Sequence, residues 1–357
     1  MDKLSYIREY LRNYSGRTLK IMEVCGTHTS SVFRCGIRSL LSQDIRLVSG
    51  PGCPVCVTPP SYIDAAVSLS GRSGIRVYSF GDMFRVPGSE KSLAEARAEG
   101  GNCELVYSPF SLIERAKAEP ELIHVMCAVG FETTAPVYAM LIREAEKEGL
   151  GNIRLLCALK LTIPAIERIC EIEPEIDAFL CPGHVSVITG SEVYLELCER
   201  FKKPFVVAGF SSEELLTAIY ESVLELEKGE PRVRNFYKSA VRPDGNEKAR
   251  RALNEIFERG DSFWRGLGIL PSSGLNLRKK FSHYDARELF TGRLRDFITD
   301  GRESMPKGCR CSEVILGRID PPECPLFKNG SCTPEKPVGP CMVSSEGGCG
   351  IWYENTV

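Results

Sequence analysis

Cysteines dominate the chemistry that this sequence can support. Six of the sixteen lie between residues 309 and 349, in a tail rich in Gly and Pro that begins near Met305. The tail lacks the apolar periodicity that builds a core, and thiolate ligation of a metal or cluster is the usual replacement for such burial. We therefore predict a metal-binding, redox-active tail that draws its ligands from Cys309, Cys311, Cys324, Cys332, Cys341 and Cys349.

The spacing of these six cysteines discriminates between metals. One residue separates Cys309 from Cys311, and the later gaps are 12, 7, 8 and 7 residues. Zinc sites usually use paired C-x-x-C knuckles, which this tail lacks, whereas the corners of a [4Fe–4S] cluster can be reached from scattered loops. The pattern favours a [4Fe–4S] cluster, with a zinc-stapled tail as the alternative.

A second motif is the C-x-x-C of Cys53 and Cys56, in the loop GPGCPVC at residues 50–56. Two intervening residues allow the sulfurs to form a reducible disulfide or to chelate a metal together. Pro54 and the preceding Gly-Pro-Gly favour a tight turn. A redox dithiol is the leading interpretation, ahead of half a zinc site and of two unrelated loop cysteines.

Two loops share the order strand, cysteine, glycine, histidine. In MEVCGTHT, Cys25 follows an apolar run and His28 comes three residues later; in CPGH, Cys181 precedes His184 in the same way. Such a thiol can have a lowered pKa or act as a soft metal ligand. The alternative for both loops is a buried cysteine at the end of a strand with a structural histidine.

The loop GFETTAP places Glu132, Thr133 and Thr134 where a helix is predicted to begin. Either threonine can cap that helix, with Pro136 in its first turn. Capping does not explain Glu132, which is predicted to be a general acid or base, a ligand or an ion-pair partner. The other cysteines lack ligand spacing and are predicted to be small core residues, namely Cys35, Cys103, Cys127, Cys157, Cys170 and Cys198.

Composition narrows the class of protein. The 45 Lys and Arg residues nearly balance the 47 Asp and Glu residues, so a nucleic-acid groove or an anionic membrane surface, which need clustered positive charge, is not expected. The sequence contains no apolar h-region and no run long enough for a transmembrane helix. We therefore expect a cytoplasmic protein, in which clustered cysteines bind metal or do chemistry rather than form a disulfide framework.

The elements that must position these motifs read as an α/β fold. Apolar runs rich in β-branched residues recur at 19–24, 45–50, 75–80, 121–130, 153–159, 176–183 and 204–210, with helical stretches between them. This alternation predicts parallel sheets covered by helices on both faces. Ligands gather at the carboxyl ends of such strands, which is where the Cys25, Cys53, Glu132 and His184 loops lie.

The domain organisation is predicted from a weak internal repeat near residue 119. Two similar α/β domains are expected, residues 1–118 with Cys25 and the Cys53/Cys56 dithiol, and residues 119–230 with the GFETTAP and CPGH loops. Residues 231–357 are predicted to hold helical stretches at 245–258 and 284–297, a Gly-rich loop at 267–277, LGILPSSGLNL, and the cluster domain.

Taken together, MEVCGTHT, GPGCPVCVTP, GFETTAP, CPGHVSVITG and the tail GCRCSEV…CPLF…CTPEKPVGPCMVSSEGGC resemble the HypD family of [NiFe] hydrogenase maturation factors. The motifs occur in the family's order from about residue 19 to the C-terminus. The resemblance implies a redox-active assembly factor that builds the Fe(CN)₂CO group with a small HypC-like chaperone and accepts cyanide, as a thiocyanate, from a HypE-like donor.

The resemblance also implies site residues. Cys25 would be the ligand of the transiently bound iron that carries CN and CO, with His28 nearby, and Cys53 and Cys56 would be the redox dithiol. Glu132, Thr133, Thr134 and His184 would line the cleft as proton donors or as hydrogen-bond partners of cyanide. The cluster ligands implied by the family pattern C-x14-C-x6-C-x16-C are Cys309, Cys324, Cys332 and Cys349.

One departure from that pattern leaves alternatives open. The gap between Cys324 and Cys332 is seven residues, one longer than in the family, and the extra residue is expected in a turn at 328–330. Cys311 and Cys341 therefore stay as substitute ligands. Two other functions also fit the motifs: a cluster-dependent disulfide reductase similar to ferredoxin–thioredoxin reductase, and a zinc-stapled interaction protein.

Overall fold

Two β-sheets carry most of the regular structure in a computed structural model that describes residues 2–290 and 306–356. The strands are β1 Leu19–Glu23, β2 Ile45–Ser49, β3 Ile75–Ser79, β4 Cys103–Leu105, β5 Ile123–Gly130, β6 Ile153–Lys160, β7 Ala178–Cys181, β8 Phe205–Val207, β9 Val233–Asn235, β10 Phe257–Trp264 and β11 Gly268–Leu277.

Helices alternate with these strands and then form the tail. They are α1 Lys3–Asn13, α2 Gly26–Arg34, α3 Pro54–Val57, α4 Pro60–Ser70, α5 Gly81–Arg85, α6 Leu93–Ala98, α7 Ser111–Ala118, α8 Ala135–Lys147, α9 Thr162–Ile172, α10 Gly183–Thr189, α11 Leu195–Phe201, α12 Ser212–Lys228, α13 Glu247–Ile256, α14 Cys311–Ile315, α15 Pro325–Lys328, α16 Pro340–Val343 and α17 Gly348–Thr356. Short 3₁₀ helices lie at Ile37–Leu40, Glu192–Tyr194, Lys279–Tyr284, Ala286–Leu289 and Pro321–Glu323.

The first sheet has the strand order β2-β1-β7-β8-β9, and every pairing in it is parallel. The second sheet has the order β10-β11-β6-β5-β3-β4; its inner strands pair in parallel, and the hairpin β10–β11 adds antiparallel strands at one edge. The predicted α/β class, with two mainly parallel sheets and a cysteine-rich C-terminal region, is confirmed.

Each sheet is assembled from two separate stretches of the chain. The first sheet takes strands from 19–49 and from 178–235, and the second takes them from 75–160 and from 257–277. Strands from both sides of residue 118 therefore share a sheet. The predicted domain boundaries stay predictions, and the strand order shows that the chain crosses between the sheets more than once.

All seven predicted strands are present, but the predicted Gly-rich loop at 267–277 is wrong. Those residues form strand β11, which pairs with β10 across a turn at Gly266 and Gly268, both with positive φ. Gly, Pro and Ser hid the strand because these residues usually mark loops. The register shift between Gly260 and Ser262 accommodates Pro271, since a proline is tolerated at an irregular part of an edge ladder.

The two predicted helices of the 231–300 segment have different outcomes. Helix α13 confirms the first over Glu247–Ile256. In the second, at 284–297, only a 3₁₀ turn at Ala286–Leu289 is present among the described residues, and residues 291–297 lie outside them. The expected turn at 328–330 is present, with Gly330 at φ 70°.

The tail packs against the rest of the protein rather than hanging from it. Five of its six cysteines and the apolar residues Val314, Ile315 and Met342 are buried in the same core cluster as Met22, Val48 and Cys53, and the partly buried Cys309 packs against that cluster. The deficit in apolar residues is thus made up partly by contact with the first sheet. Within the part of the chain that the structure describes, no helix is long and apolar enough to cross a membrane.

Candidate functional site

Cys25 lies at the carboxyl end of β1, where the chain turns into helix α2. It occupies the N-cap position with extended backbone, and its side chain makes no capping bond. The neighbouring loop approaches very closely: a Cβ on Gly52 would lie 2.4 Å from the Cys25 nitrogen, and the Gly26 N–H donates to the Gly52 carbonyl at 3.3 Å. Only glycine at position 52 allows the two loops to touch.

Cys53 and Cys56 follow strand β2 and are joined as a disulfide with a Cα–Cα distance of 5.3 Å. Cys53 caps the short helix α3, since its sulfur accepts a hydrogen bond from the Cys56 N–H at 3.1 Å, and Pro54 fills the first helical position. The C-x-x-C pair is therefore held in a turn within reach of Cys25. Strands β1 and β2 are direct neighbours, which brings their loops together.

These three cysteines line one small cavity, which we call the thiol pocket. Its wall on the sheet side includes Thr29 and Ser49, and its other wall comes from the tail, with Val314, Ile315, Cys341, Glu346 and Gly348. The tail thus closes over the ends of β1 and β2. The Cys25 thiol is 8% exposed and Cys56 is 2% exposed, so the pocket is shielded from bulk water.

Hydrogen bonds to Asp82 fasten the tail loop over the thiol pocket. Asp82 Oδ2 accepts from the hydroxyl of Ser344 and the N–H of Ser345, each at 3.1 Å. Asp82 follows strand β3 of the second sheet. The loop that carries Glu346 is therefore anchored to one sheet while it covers the Cys25 and Cys53 loops of the other.

The Cys25 thiol is not activated as expected from its neighbours. Burial raises the Cys25 pKa to about 11; the backbone N–H groups of His28 and Thr27 near the sulfur oppose this rise, and the nearby Glu346 carboxylate adds to it. The predicted lowering of the pKa is wrong for the metal-free thiol, because desolvation disfavours the thiolate. A soft cation in the pocket would have to displace the proton.

His28 and His184 both pack against one ring, that of Phe210. The ring centroids lie 4.9 Å and 4.2 Å from that of Phe210, respectively. His28 is fully buried and burial lowers its pKa to about 4, so it is neutral. Its Nε2 lies 3.1 Å from the Ala208 carbonyl and must donate to it, which leaves Nδ1 as an acceptor with no partner among the described atoms.

Glu132 follows strand β5 and is buried. Its Oε1 accepts from the Thr162 N–H at 2.8 Å and from the Thr162 hydroxyl at 3.1 Å, and its Oε2 has no partner among the described atoms. Burial raises the Glu132 pKa to about 7. Burial raises the pKa of the Tyr194 hydroxyl, and smaller contributions from Cys181, Glu132 and Cys25 raise it further, so this hydroxyl lies within electrostatic range of Glu132 and Cys25.

The threonines of the GFETTAP loop do not cap helix α8. Thr134 occupies the N-cap position, but its side chain makes no capping hydrogen bond. The loop instead turns on backbone bonds from the N–H groups of Thr134 and Ala135 to the Phe131 carbonyl, both at 3.0 Å. Pro136 is at the start of the helix, as predicted.

A second cavity, the cysteine cavity, lies in the tail. It is lined by apolar side chains of Leu326, Phe327 and Met342 and by five cysteines, Cys309, Cys311, Cys324, Cys332 and Cys349. All four predicted cluster ligands share this space. Among the described residues, no group of three or more His, Cys, Asp or Glu side chains is arranged to hold a single metal ion.

Cys341 connects the two cavities. It lines the thiol pocket, and it is hydrogen-bonded to Cys311 and Cys349, both of which line the cysteine cavity. Those two bonds lower the Cys341 pKa, and the same contacts raise the pKa of Cys349. The sequence placed Cys341 among possible cluster ligands but gave no sign that it faces Cys53 and Cys56.

Other expectations have mixed outcomes. Cys35 is exposed at the end of α2, so its assignment to the core is wrong, while Cys103, Cys127, Cys157, Cys170 and Cys198 are buried as predicted.

Three residues of the site were not predicted from the sequence. Glu346 is one, although its position between tail cysteines in SSEGGC could have drawn attention. Thr162 and Phe210 carry no signal in the sequence, because their roles arise only from contacts with distant residues.

Known proteins match this chain over nearly its whole length. The family model HypD, described as the hydrogenase formation hypA family, matches residues 2–356. A putative hydrogenase expression/formation protein of Methanocaldococcus jannaschii is 41% identical over 99% of this chain and 95% of its own length. The hydrogenase maturation factors HypD of Azotobacter vinelandii and Escherichia coli are 41% and 37% identical, over 94% and 99% of this chain and 89% and 94% of their own lengths.

Proposed function

This chain belongs to the HypD family and is a hydrogenase maturation factor, and on that premise we propose that its thiol pocket holds the iron on which Fe(CN)₂CO is built. The observation that supports this most directly is the meeting of Cys25, the Cys53–Cys56 disulfide and Cys341 in one shielded cavity. The proposed iron ligand, Cys25, and the redox pair, Cys53 and Cys56, then share one small cavity.

Cys25 is the proposed iron ligand. A thiolate is a soft donor and suits low-spin iron with cyanide and CO. Because burial keeps the free thiol protonated, binding of iron releases a proton at this sulfur. A HypC-like chaperone is proposed to supply a further ligand from outside the pocket.

The dithiol is proposed to serve the cyanide transfer. When a HypE-like donor presents a thiocyanate, breaking the S–C bond into a thiol and cyanide consumes two electrons. Oxidation of the reduced Cys53 and Cys56 thiols to their disulfide supplies two electrons and two protons. One proton goes to the donor sulfur and one remains for the cyanide, so the step balances, and the disulfide is the state in which the chain then rests.

The cysteine cavity suits a [4Fe–4S] cluster. Several sulfurs line an apolar space instead of converging on one point, and this is the donor set of a cluster rather than of a single ion. Cys309, Cys324, Cys332 and Cys349 are the proposed ligands. When bound, the cluster would supply electrons, and Cys341 with Cys311 lies between it and the disulfide that needs them.

The polar site residues predicted after β1, β5 and β7 are proposed to handle protons, and none of these residues lines the thiol pocket itself. Glu132, with its pKa near 7, can give up or take a proton at neutral pH. His28, held neutral, offers Nδ1 as an acceptor, and His184 packs against the same Phe210 ring. Thr133 and Thr134 offer hydroxyls that helix capping does not use. This chemistry is proposed for the reducing cytoplasm.

The test is anaerobic purification of the full chain with a small HypC-like partner, followed by infrared spectroscopy and analysis of iron, zinc and acid-labile sulfide. We expect iron and sulfide from a cluster, and cyanide and CO bands that Cys25→Ala removes while the sulfide stays. Cys35→Ala is the matched control, since Cys35 is an exposed cysteine outside both cavities.

Two results would contradict the proposal. A colourless protein that holds zinc and no sulfide would leave a zinc-stapled interaction protein. Turnover of the Cys53–Cys56 disulfide that is unaffected by Cys25→Ala, without any bound iron cargo in the native chain, would favour a cluster-dependent disulfide reductase instead.

A further inference from the structure

Lys160 is a buried amine that the proposed maturation chemistry does not use. It is the last residue of strand β6 and is 1% exposed. Its Nζ contacts the Ser262 hydroxyl at 2.8 Å and the Phe263 carbonyl at 2.5 Å, and it lies 5.3 Å from the centre of the Trp264 ring. All these partners are neutral, and Lys160 forms no ion pair with a described residue.

The amine lines a cavity of its own. Its walls include Tyr62, Cys157, Asp261, Ser262 and Asn276, and none of its lining residues belongs to the thiol pocket. The enclosed part of this cavity is small and its mouth opens to solvent, so it admits at most a molecule of a few heavy atoms. Among the described residues that line it, Lys160 is the only cation.

The hairpin that carries the Ser262 hydroxyl has two local irregularities beside the Lys160 amine. The β10–β11 ladder has a bulge between Gly260 and Ser262, and bulges commonly redirect a side chain beside a functional site. Ser272, across the hairpin, has φ 51°, and its N–H donates to Asp261 Oδ1 at 3.0 Å. Left-handed backbone at a residue other than glycine is costly and persists where the surroundings impose it.

A purely structural lysine would be an expensive choice here. Burial of an ammonium group without a counter-charge costs several kcal/mol, and hydrogen bonds to a carbonyl and a hydroxyl can be made by a neutral side chain. Burial lowers the Lys160 pKa to about 7, so much of the amine is uncharged at neutral pH. A desolvated, uncharged lysine in a cavity is a nucleophile.

We propose that Lys160 captures a small neutral aldehyde as a Schiff base, with Ser262 as the proton relay. The Nζ forms a bond to the carbonyl carbon, and the carbonyl oxygen leaves as water after it receives two protons. The nitrogen supplies one of them through the Ser262 hydroxyl, and solvent at the cavity mouth supplies the other. The protonated imine lies against the Phe263 carbonyl and the Trp264 ring, both of which stabilise a cation.

The charge of the cavity selects the neutral substrate class. Asp261 is exposed at the rim, and no cation other than Lys160 lines the walls to pair with a second negative group. A carboxylate-bearing 2-oxo acid is therefore disfavoured relative to an uncharged aldehyde.

The experiment treats the native full chain at neutral pH with acetaldehyde and sodium cyanoborohydride, which reduces an imine to a stable ethylamine, and maps the product by peptide mass spectrometry. Lys160 is expected to be ethylated at least several-fold faster than the exposed Lys147 and Lys117. If Lys160 is modified more slowly than those lysines, or only after unfolding in urea, the proposal is wrong.

Two variants make the test specific. Ser262→Ala keeps the amine and removes the relay, so ethylation of Lys160 should slow several-fold while Lys147 reacts as before; an unchanged rate would remove Ser262 from the proposal. Lys160→Met is the blank for peptide mapping, and thermal unfolding of both variants verifies that each is folded.

Discussion

The backbone carbonyl of Glu346 lies where a Cβ on Gly26 would approach it to 2.3 Å. The tail and the Cys25 loop are therefore in contact with no space for a side chain between them. Since Cys25 and Glu346 line the same pocket, this contact sets how the tail closes over the thiol pocket.

Gly26→Ala should push the tail away from the Cys25 loop. The added methyl group meets backbone, which cannot rotate away, and overpacking of this kind typically costs about 1–3 kcal/mol. We expect a lower midpoint of denaturant unfolding and loss of bound iron cargo. Gly71→Ala is the control, because its Cβ would meet nothing closer than 3.8 Å. Equal behaviour of the two variants would show that the contact is not needed.

Cys341→Ser should separate cluster binding from disulfide reduction. Cys341 does not line the cysteine cavity but faces the Cys53–Cys56 disulfide. We expect iron and sulfide contents close to those of the unmodified chain, with reduction of the disulfide by a reductant of the cluster slowed at least tenfold. Cys309→Ser should instead lose the cluster. A Cys341→Ser protein without sulfide would identify Cys341 as a ligand.

Glu132→Gln should flatten the pH dependence of stability in the acid range. The Glu132 pKa is raised from 4.5 to about 7 in the folded protein, so the folded state binds the extra proton. Its contribution is complete below pH 4.5 and is lost as the pH rises through 7, with a size of about 3 kcal/mol. The measurement is the unfolding midpoint of the unmodified chain and of Glu132→Gln between pH 5 and 8. The midpoint of Glu132→Gln should not show this loss of stability. Thr162→Val, which removes one donor to Glu132, serves as the comparison.

Arg38→Ala should release the last helix. The Arg38 guanidinium lies 5.1 Å and 4.9 Å from the Phe33 and Trp352 ring centres and pairs with the buried Glu23 carboxylate at 3.4 Å. Its loss leaves that carboxylate without a cation, at a cost of about 2–4 kcal/mol. Limited proteolysis should then cut near α17, and Glu23→Gln in the same chain should recover part of the stability. Arg8→Ala, at an exposed position, is the control. If Arg38→Ala is cleaved at the same sites and rate as Arg8→Ala, Arg38 does not hold α17 in place.

Lys160→Met tests the buried amine through stability. The Lys160 pKa is lowered from 10.5 to about 7, so the unfolded chain holds the extra proton above pH 7, and this group makes stability rise between pH 7 and 10.5. The difference in unfolding midpoint between Lys160→Met and the unmodified chain should therefore favour Met most at and below pH 7 and shrink as the pH rises. A difference in unfolding midpoint that does not change with pH would show that the Lys160 pKa is not shifted by burial.

Local sequence accounts for much of the fold. The apolar runs of β1, β2, β3, β5 and β6 are buried on both faces of a parallel sheet, so each is a nearly continuous signal. Strands β10 and β11 escaped because their Gly, Pro and Ser residues serve a bulge and a left-handed turn. The identity of these residues indicates a bend, and only the partner strand shows that the bend lies inside a hairpin.

By itself, the sequence determined which groups are available: thiols at Cys25, Cys53, Cys56 and the tail, carboxyl and imidazole groups after strands, and a motif order that resembles the HypD family. The tertiary structure decided which of them meet. It placed Cys341 with the disulfide, Glu346 over Cys25 and Lys160 among neutral partners. These contacts join residues far apart in the chain, and burial, which sets their pKa values, belongs to the packed molecule and not to any segment of it.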